Sequence, residues 1–359
     1  MAPELPSAAL EKFLVGFEGT SLPAELRALL AEGLAGVTIF PRNIRDPEGL
    51  RSLTDEIRRA AGRPALIAID QEGGRKFSLP EPFTQWPSAP ELGAFDDPAL
   101  VEQVARAMAR ELFAVGCNLN FAPMLDLHLQ PMSPVTSGRS FGSAPERVAR
   151  LGEAFLRGLA AEGVLGCAKH FPGHGDTHVD PHEDLPIFYG SMARLEKTEL
   201  VPFARAIAAG VPVIMTAHIL LPAIDSEHPA SLSRTALHRL LRERLHYDGA
   251  ILADDLGMGA IRKRRSPARA AVETFRAGSD FALLCHDWSL VRPTIHAVAD
   301  ALKEDKLDAS EREQSHARIE RLRAQANASK SAQSLDIVGC AGHRALASEI
   351  HDRAHPKPS

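Results

Sequence analysis

Short apolar runs alternate with longer amphipathic stretches along most of the chain. Eight of the runs read as buried strands: FLVGFE (13–18), GVTIF (36–40), ALIAID (65–70), NLNFAP (118–123), GVLGCAKH (163–170), PVIMTAH (212–218), GAILADD (249–255) and FALLC (281–285). Most are rich in Val, Ile, Leu, Phe and Ala without a clean period of two, as expected for a parallel sheet covered on both faces. Between them lie helical signals. Asp97 followed by Pro98 predicts an N-cap with proline at the first helical position, opening ALVEQVARAMARELFAVG. Ser143 with Pro145 and Glu146 predicts a similar start for ERVARLGEAFLRGLAAEG, which stops at Gly163 before the next strand. Strands separated by helices imply right-handed βαβ crossovers. Eight of them favour a closed barrel over a doubly wound sheet. The expected fold is α/β, a single (β/α)8 TIM-type barrel over residues 1–322. A short C-terminal extension, 323–359, follows: AQANASKSAQS is small and polar and reads as a linker, and VGCAGHRALASEIHDR has the periodicity of a short docking helix.

Composition adds mainly exclusions. A chain of 359 residues could hold two or three average domains, or one barrel of about 250 residues with insertions. The net charge of −5 is mild, and the one basic run, Arg262–Arg265, is short enough to read as a solvated loop, so no nucleic-acid partner is expected. Cys117, Cys167, Cys285 and Cys340 are far apart with no CxxC pair, which argues against a zinc knuckle or a disulfide framework. No basic segment followed by an apolar one opens the chain, and no apolar stretch approaches the roughly 18 residues of a membrane span. The expectation is a cytoplasmic monomer with no membrane partner.

Several of the strand-like runs end in polar residues: Asp70, Lys169–His170, His218 and Asp254–Asp255. In barrels of this type catalytic groups project from the carboxyl ends of strands. The densest chemistry follows the fifth run, in KHFPGHGDTHVDPHEDLP (169–186). Its glycines and prolines forbid a regular helix, so it is a long loop. His170, His174, His178 and His182 recur every fourth residue, but without a helix that spacing loses its meaning as a zinc face. Three readings stand: a metal site, a hydrogen-bonded structural loop, or an active-site loop in which a histidine moves protons and an acid orients it.

KHFPGHGDTHVDPH closely resembles the signature of glycoside hydrolase family 3, in its bacterial β-N-acetylhexosaminidase branch of cell-wall recycling. GVTIFPRNIRDPEGLRSLTDEIR, IDQEGGR, NFAPMLDL, GRSFG, MTAHI and ADDLGMGAI are similar to further blocks of that branch, in the expected order over roughly residues 10–320. The resemblance implies a retaining glycosidase with Asp254 as nucleophile and an Asp180–His182 dyad whose histidine is the general acid/base. It implies that Asp70, Arg139, Lys169 and His170 bind the terminal sugar, and it places Arg75 and His218 in site blocks with less defined roles. No cofactor or metal is implied. The implied substrates are muropeptides or chitooligosaccharides ending in N-acetyl-β-glucosamine. An ionised Asp suits a nucleophile, and an imidazole with an ordinary pKa near 6.5 can give a proton in one step and take it in the next. Two residues depart from the usual pattern: Pro181 between the dyad members, and Ala253 where Ser or Thr is common. Alternatives are a phosphorylase or β-glucosidase of the same fold, a non-catalytic sugar-binding barrel, and a metal-dependent hydrolase built on the histidine loop.

Overall fold

The computed structural model describes residues 5–74, 79–327 and 333–356. All eight expected strands are present: β1 (Phe13–Val15), β2 (Gly36–Ile39), β3 (Leu66–Ile69), β4 (Leu119–Asn120), β5 (Leu165–Phe171), β6 (Val213–Thr216), β7 (Ala250–Asp255) and β8 (Phe281–Leu284). Each pairs in parallel with the next, and β1 pairs with β8 through Leu14 opposite Leu283, closing the barrel. Helices such as Pro47–Ala61, Pro98–Ala114, Pro145–Ala161 and Pro267–Ala277 fill the crossovers.

Side-chain parity sorts the core into two layers. Leu14, Leu66, Ala68, Cys167, Val213, Met215, Ala250, Leu252, Phe281 and Leu283 meet in a cluster inside the barrel. Their neighbours in sequence, among them Val15, Ile67, Ile69, Ala168, Ile214, Ile251, Ala253 and Ala282, pack outward in the larger helix-facing cluster. Alternation along a strand produces both layers at once, and because both faces are apolar the sequence pattern is a run and not an alternation. Continued by two residues, the inward parity reaches Asp70 from Ala68, Lys169 from Cys167 and Asp254 from Leu252.

The helix Ala309–Ala326 seals the opposite end. Its Ile319 and Leu322 belong to the inner cluster, while Ser315 accepts a hydrogen bond from Lys12 Nζ at 3.0 Å and Arg318 pairs with Asp280 at 2.9 Å. Lys12 and Asp280 immediately precede β1 and β8, so this helix caps the amino ends of the strands. It runs past residue 322 to Ala326. The segment 333–356 carries the helix Ala341–Ala354, docked by His343 Nδ1 on Glu111 Oε1 at 2.8 Å and by the Arg353 guanidinium 4.7 Å from the centroid of the Phe95 ring.

The caps follow the sequence in one case and depart from it in another. Asp97 Oδ1 accepts from the backbone N–H groups of Ala99 and Leu100 at 2.9 and 3.3 Å. The helix Pro145–Ala161 instead starts from Ala144 with no side-chain cap, because proline at the first helical position leaves Ser143 one residue too early. Among the described residues no helix is long and apolar enough to cross a membrane.

The close approach of β2 to β3 rests on Gly36, where a Cβ would lie 1.9 Å from the Leu66 carbonyl oxygen. Backbone cannot yield there as a side chain can, so Gly36→Ala is expected to lower unfolding stability by about 1–3 kcal/mol, measured by denaturant titration.

Candidate active site

A cavity of about 380 Å³ opens at the carboxyl ends of the strands. Asp70, Arg139, Lys169, His170, Asp180, His182 and Asp254 all line it, although they lie up to 184 positions apart (254 − 70). Arg75 lies outside the described residues.

One wall is a buried charge network. Lys169 Nζ lies 2.5 Å from Asp70 Oδ1 and 2.7 Å from Glu72 Oε1. Arg139 donates to the same Glu72 through Nε at 2.9 Å and Nη2 at 2.7 Å, a bidentate pair, and through Nη1 to the Val135 carbonyl. Burial works to raise the Glu72 carboxyl, but the Arg139 and Lys169 charges hold it well below the usual range. Burial works to lower Lys169, and Asp70 and Glu72 more than restore it. Glu72, Lys169 and Arg139 are therefore held as ions that stabilise one another. Lys169 and Arg139 thus make structural ion pairs as well as facing the cavity.

Behind the next wall Asp126 is wholly buried. It accepts from His170 N–H at 3.1 Å, His170 Nδ1 at 2.7 Å and His174 N–H at 2.8 Å. Burial opposes ionisation of Asp126, but His170 and the hydrogen bonds bring its pKa down to about 2. The bond from Nδ1–H to a carboxylate fixes the His170 tautomer and aims Nε2 away from Asp126. His174 packs edge-on to His170, 5.4 Å between centroids, and burial draws its pKa to about 4, so it is neutral. The four histidines of the loop therefore do not share one face; His178 is exposed while His170 and His174 are buried.

The adjacent acids on β7 divide their tasks. Asp254 Oδ1 accepts from the Asp255 N–H at 2.8 Å. Burial raises its pKa, but the charges of His170 and His218 and this hydrogen bond leave it below the ordinary value, an ionised carboxylate at neutral pH. Asp255 also touches the cavity, yet its Oδ1 accepts from Gly257 N–H at 2.9 Å and Cys285 N–H at 3.2 Å, capping the following turn. Burial, then the neighbouring Asp254, raise Asp255 to about 6. His218 corrects the sequence expectation. It is buried outside the cavity lining, with Nδ1 2.7 Å from Ser231 Oγ and Nε2 donating to the Asp255 carbonyl at 3.0 Å, so both nitrogens are engaged and the ring links the end of β7 to the turn at Ser231. Ala253 faces outward into the helix layer.

The Asp180–His182 pair forms within its own loop: His182 Nδ1 and backbone N–H both donate to Asp180 Oδ1, at 2.7 and 2.9 Å. The His182 side chain is 63% exposed, so the loop needs an external anchor. That anchor is the segment after the β7 acids. Ala260 N–H donates to the Pro181 carbonyl and Gly259 N–H to the His182 carbonyl, each at 3.0 Å. Arg264 Nη1 and Lys263 Nζ, both on the exposed basic run, reach Asp184 at 2.5 and 3.4 Å, surface pairs that add little to the backbone anchor. Pro181 loses a donor by its chemistry, but the contact it makes uses its carbonyl.

Glu72, Asp126 and Gly259 thus shape the site without having been singled out in the sequence. Each lies inside a quoted block, IDQEGGR, NFAPMLDL or ADDLGMGAI. For Asp126 the signal was available, since a charged residue inside the otherwise apolar NFAPMLDL needs a buried partner; Glu72 and Gly259 carried none.

The profile of the glycosyl hydrolase family 3 N-terminal domain matches residues 15–322. A β-hexosaminidase of Alkalilimnicola ehrlichii is 40% identical over 81% of this chain and 85% of its own length. β-Hexosaminidase A of Pseudoalteromonas piscicida is 35% identical over 92% of this chain, which spans 60% of that longer relative. Among solved structures, a family 3 β-N-acetylglucosaminidase from Paenibacillus sp. str. FPU-7 superposes with a TM-score of 0.92 at 34% identity, covering 98% of this chain and 69% of its own.

A Cβ on Gly259 would lie 2.5 Å from the His182 carbonyl oxygen and 2.4 Å from that of Glu183. Gly259→Ala is expected to release the loop. Amide exchange at Glu183 and Asp184 should quicken by about ten-fold or more while the β7 amides keep their protection, as read by hydrogen-exchange mass spectrometry.

Proposed function

Because the chain belongs to glycosyl hydrolase family 3, we propose that it is a retaining exo-β-N-acetylglucosaminidase that releases terminal non-reducing N-acetyl-β-glucosamine from muropeptides or chitooligosaccharides in cytoplasmic recycling of cell-wall fragments. The observation that carries this reading is the meeting of an ionised Asp254 with the Asp180–His182 pair in one cavity, supplied by two segments locked together through Gly259 and Ala260. Residues 1–322 form the catalytic barrel in this reading, and a monomer suffices, since every group invoked comes from one chain.

The chemistry runs in two steps. Asp254 attacks the anomeric carbon and forms a glycosyl ester while the glycosidic oxygen leaves with a proton from His182 Nε2. Water then attacks the same carbon, His182 Nε2 takes its proton, and the Asp254 carboxylate is released. Asp180, fixed on Nδ1–H, holds the tautomer and stabilises the imidazolium present before the first step and again after the second. Asp70, Lys169, Arg139 and His170 present oriented charges and donors to the hydroxyls of the sugar. A cavity of about 380 Å³ lies near the small end of ligand pockets, which suits one terminal sugar.

Purified protein should cleave nitrophenyl N-acetyl-β-glucosaminide and spare the matching β-glucoside. Asp254→Asn is expected to reduce turnover by about 10³-fold or more, whereas Asp255→Asn, which keeps an acceptor for both N–H groups, is expected to stay within about ten-fold of the parent. The reverse ranking would move the nucleophile to Asp255. Equal turnover of the plain glucoside would overturn the substrate assignment, and a sugar phosphate appearing in phosphate buffer would replace hydrolysis by phosphorolysis.

A further inference from the structure

On the outer surface, away from the cavity, two imidazoles converge on one carboxylate oxygen. Glu91 Oε1 lies 2.7 Å from His351 Nδ1 and 3.2 Å from His355 Nε2, and the two rings stand 4.7 Å apart between centroids. We propose that Glu91, His351 and His355 bind a divalent transition-metal ion, zinc foremost, and that the ion ties the C-terminal helix to the barrel.

The donor set suits such an ion. Two imidazole nitrogens and a carboxylate oxygen, with a fourth position left for water, is a familiar three-protein-ligand zinc arrangement. His351 and His355 are four residues apart, one turn of the helix Ala341–Ala354 and its cap, so they fall on the same side of it. The three donor atoms lie within 4.8 Å of one another. Tetrahedral bonds of 2.0–2.1 Å place donors roughly 3.3 Å apart, so rotations of exposed side chains bring them into position.

The carboxylate is already oriented. Glu91 closes the capping box of the helix Ala89–Phe95, and its Oε2 accepts from the Ser88 N–H at 2.7 Å and hydroxyl at 2.6 Å. That leaves Oε1 presented to the imidazoles. Among the described residues the ion-pair partners of Glu91 are those two imidazoles. A second cluster, Glu11, His316 and Glu320, differs on this point, since Arg323 lies 3.9 Å from Glu11 and 2.7 Å from Glu320 and already supplies the cation. Glu91 and His351 also border a cavity of about 630 Å³ beside Trp86 and Phe83, so the fourth ligand can come from solvent.

The test compares the parent with a His351→Ala/His355→Ala double variant, both retaining the Asp180–His182 pair, so that any zinc taken by that pair cancels. After treatment with EDTA and exchange into chelator-free buffer, titration with zinc chloride should find one more zinc per chain in the parent than in the variant. The parent should also gain a few degrees in thermal midpoint at zinc about 100-fold above its Kd, a gain the variant lacks. Glu91→Gln should weaken that zinc by about ten-fold or more. Crystals soaked in zinc should show an anomalous peak between Glu91, His351 and His355. Equal stoichiometry in parent and variant, or a peak only at His182, would overturn the proposal. The two histidines are exposed at the end of the last helix, so the variant is expected to fold, and circular dichroism without metal verifies it.

Discussion

A lysine ammonium placed inside a barrel is tolerable only if anions surround it, and Lys169 sits between Asp70 and Glu72 for that reason. Glu72 in turn takes both arms of the Arg139 guanidinium. Removing Glu72 would leave the buried Arg139 guanidinium without its bidentate carboxylate, which costs far more than the pair contributes. This wall of the cavity is therefore held as a unit, tying the ends of β3 and β5 to the loop that follows β4. The same network orients the cavity-facing groups through their mutual ion pairs.

The reacting end is built by another means. Asp254 is rigid because it lies on a strand whose inward parity continues the packed interior, while His182 rides on a loop with an exposed side chain. Backbone bonds from Gly259 and Ala260 to the Pro181 and His182 carbonyls join the two. The segment leaving Asp254 thus doubles as the seat of the His182 loop. His218, taken for a sugar contact, works from behind by gripping the Asp255 carbonyl.

The strands were legible because each is a short apolar run between helical periods, and the place of Asp70, Lys169 and Asp254 at the cavity was foreshadowed by their position at strand ends. Their ion-pair partners were not. Glu72 and Asp126 act through contacts with residues 67 and 44 positions away (139 − 72 and 170 − 126), and no local pattern encodes such a distance. The run Arg262–Arg265 was read as solvated and its first three residues are exposed, while its contacts with Asp184 on another loop left no local trace. Ser143 failed as a cap on a purely local ground, a single-residue offset set by Pro145.

The pairing of Leu14 with Leu283 has a consequence for how the chain emerges during synthesis. The first strand must wait for a neighbour translated 269 residues later (283 − 14). At about 5–20 residues per second that interval is roughly 15–50 s. Throughout it, one flank of β1 offers unpaired backbone groups to any extended segment it meets. The nascent barrel is therefore an open, curling sheet with adhesive borders, and the inner apolar layer is sealed only when the helix bearing Ile319 and Leu322 has followed. Solubility during that window depends on traffic at the ribosome as much as on the energy of the finished fold.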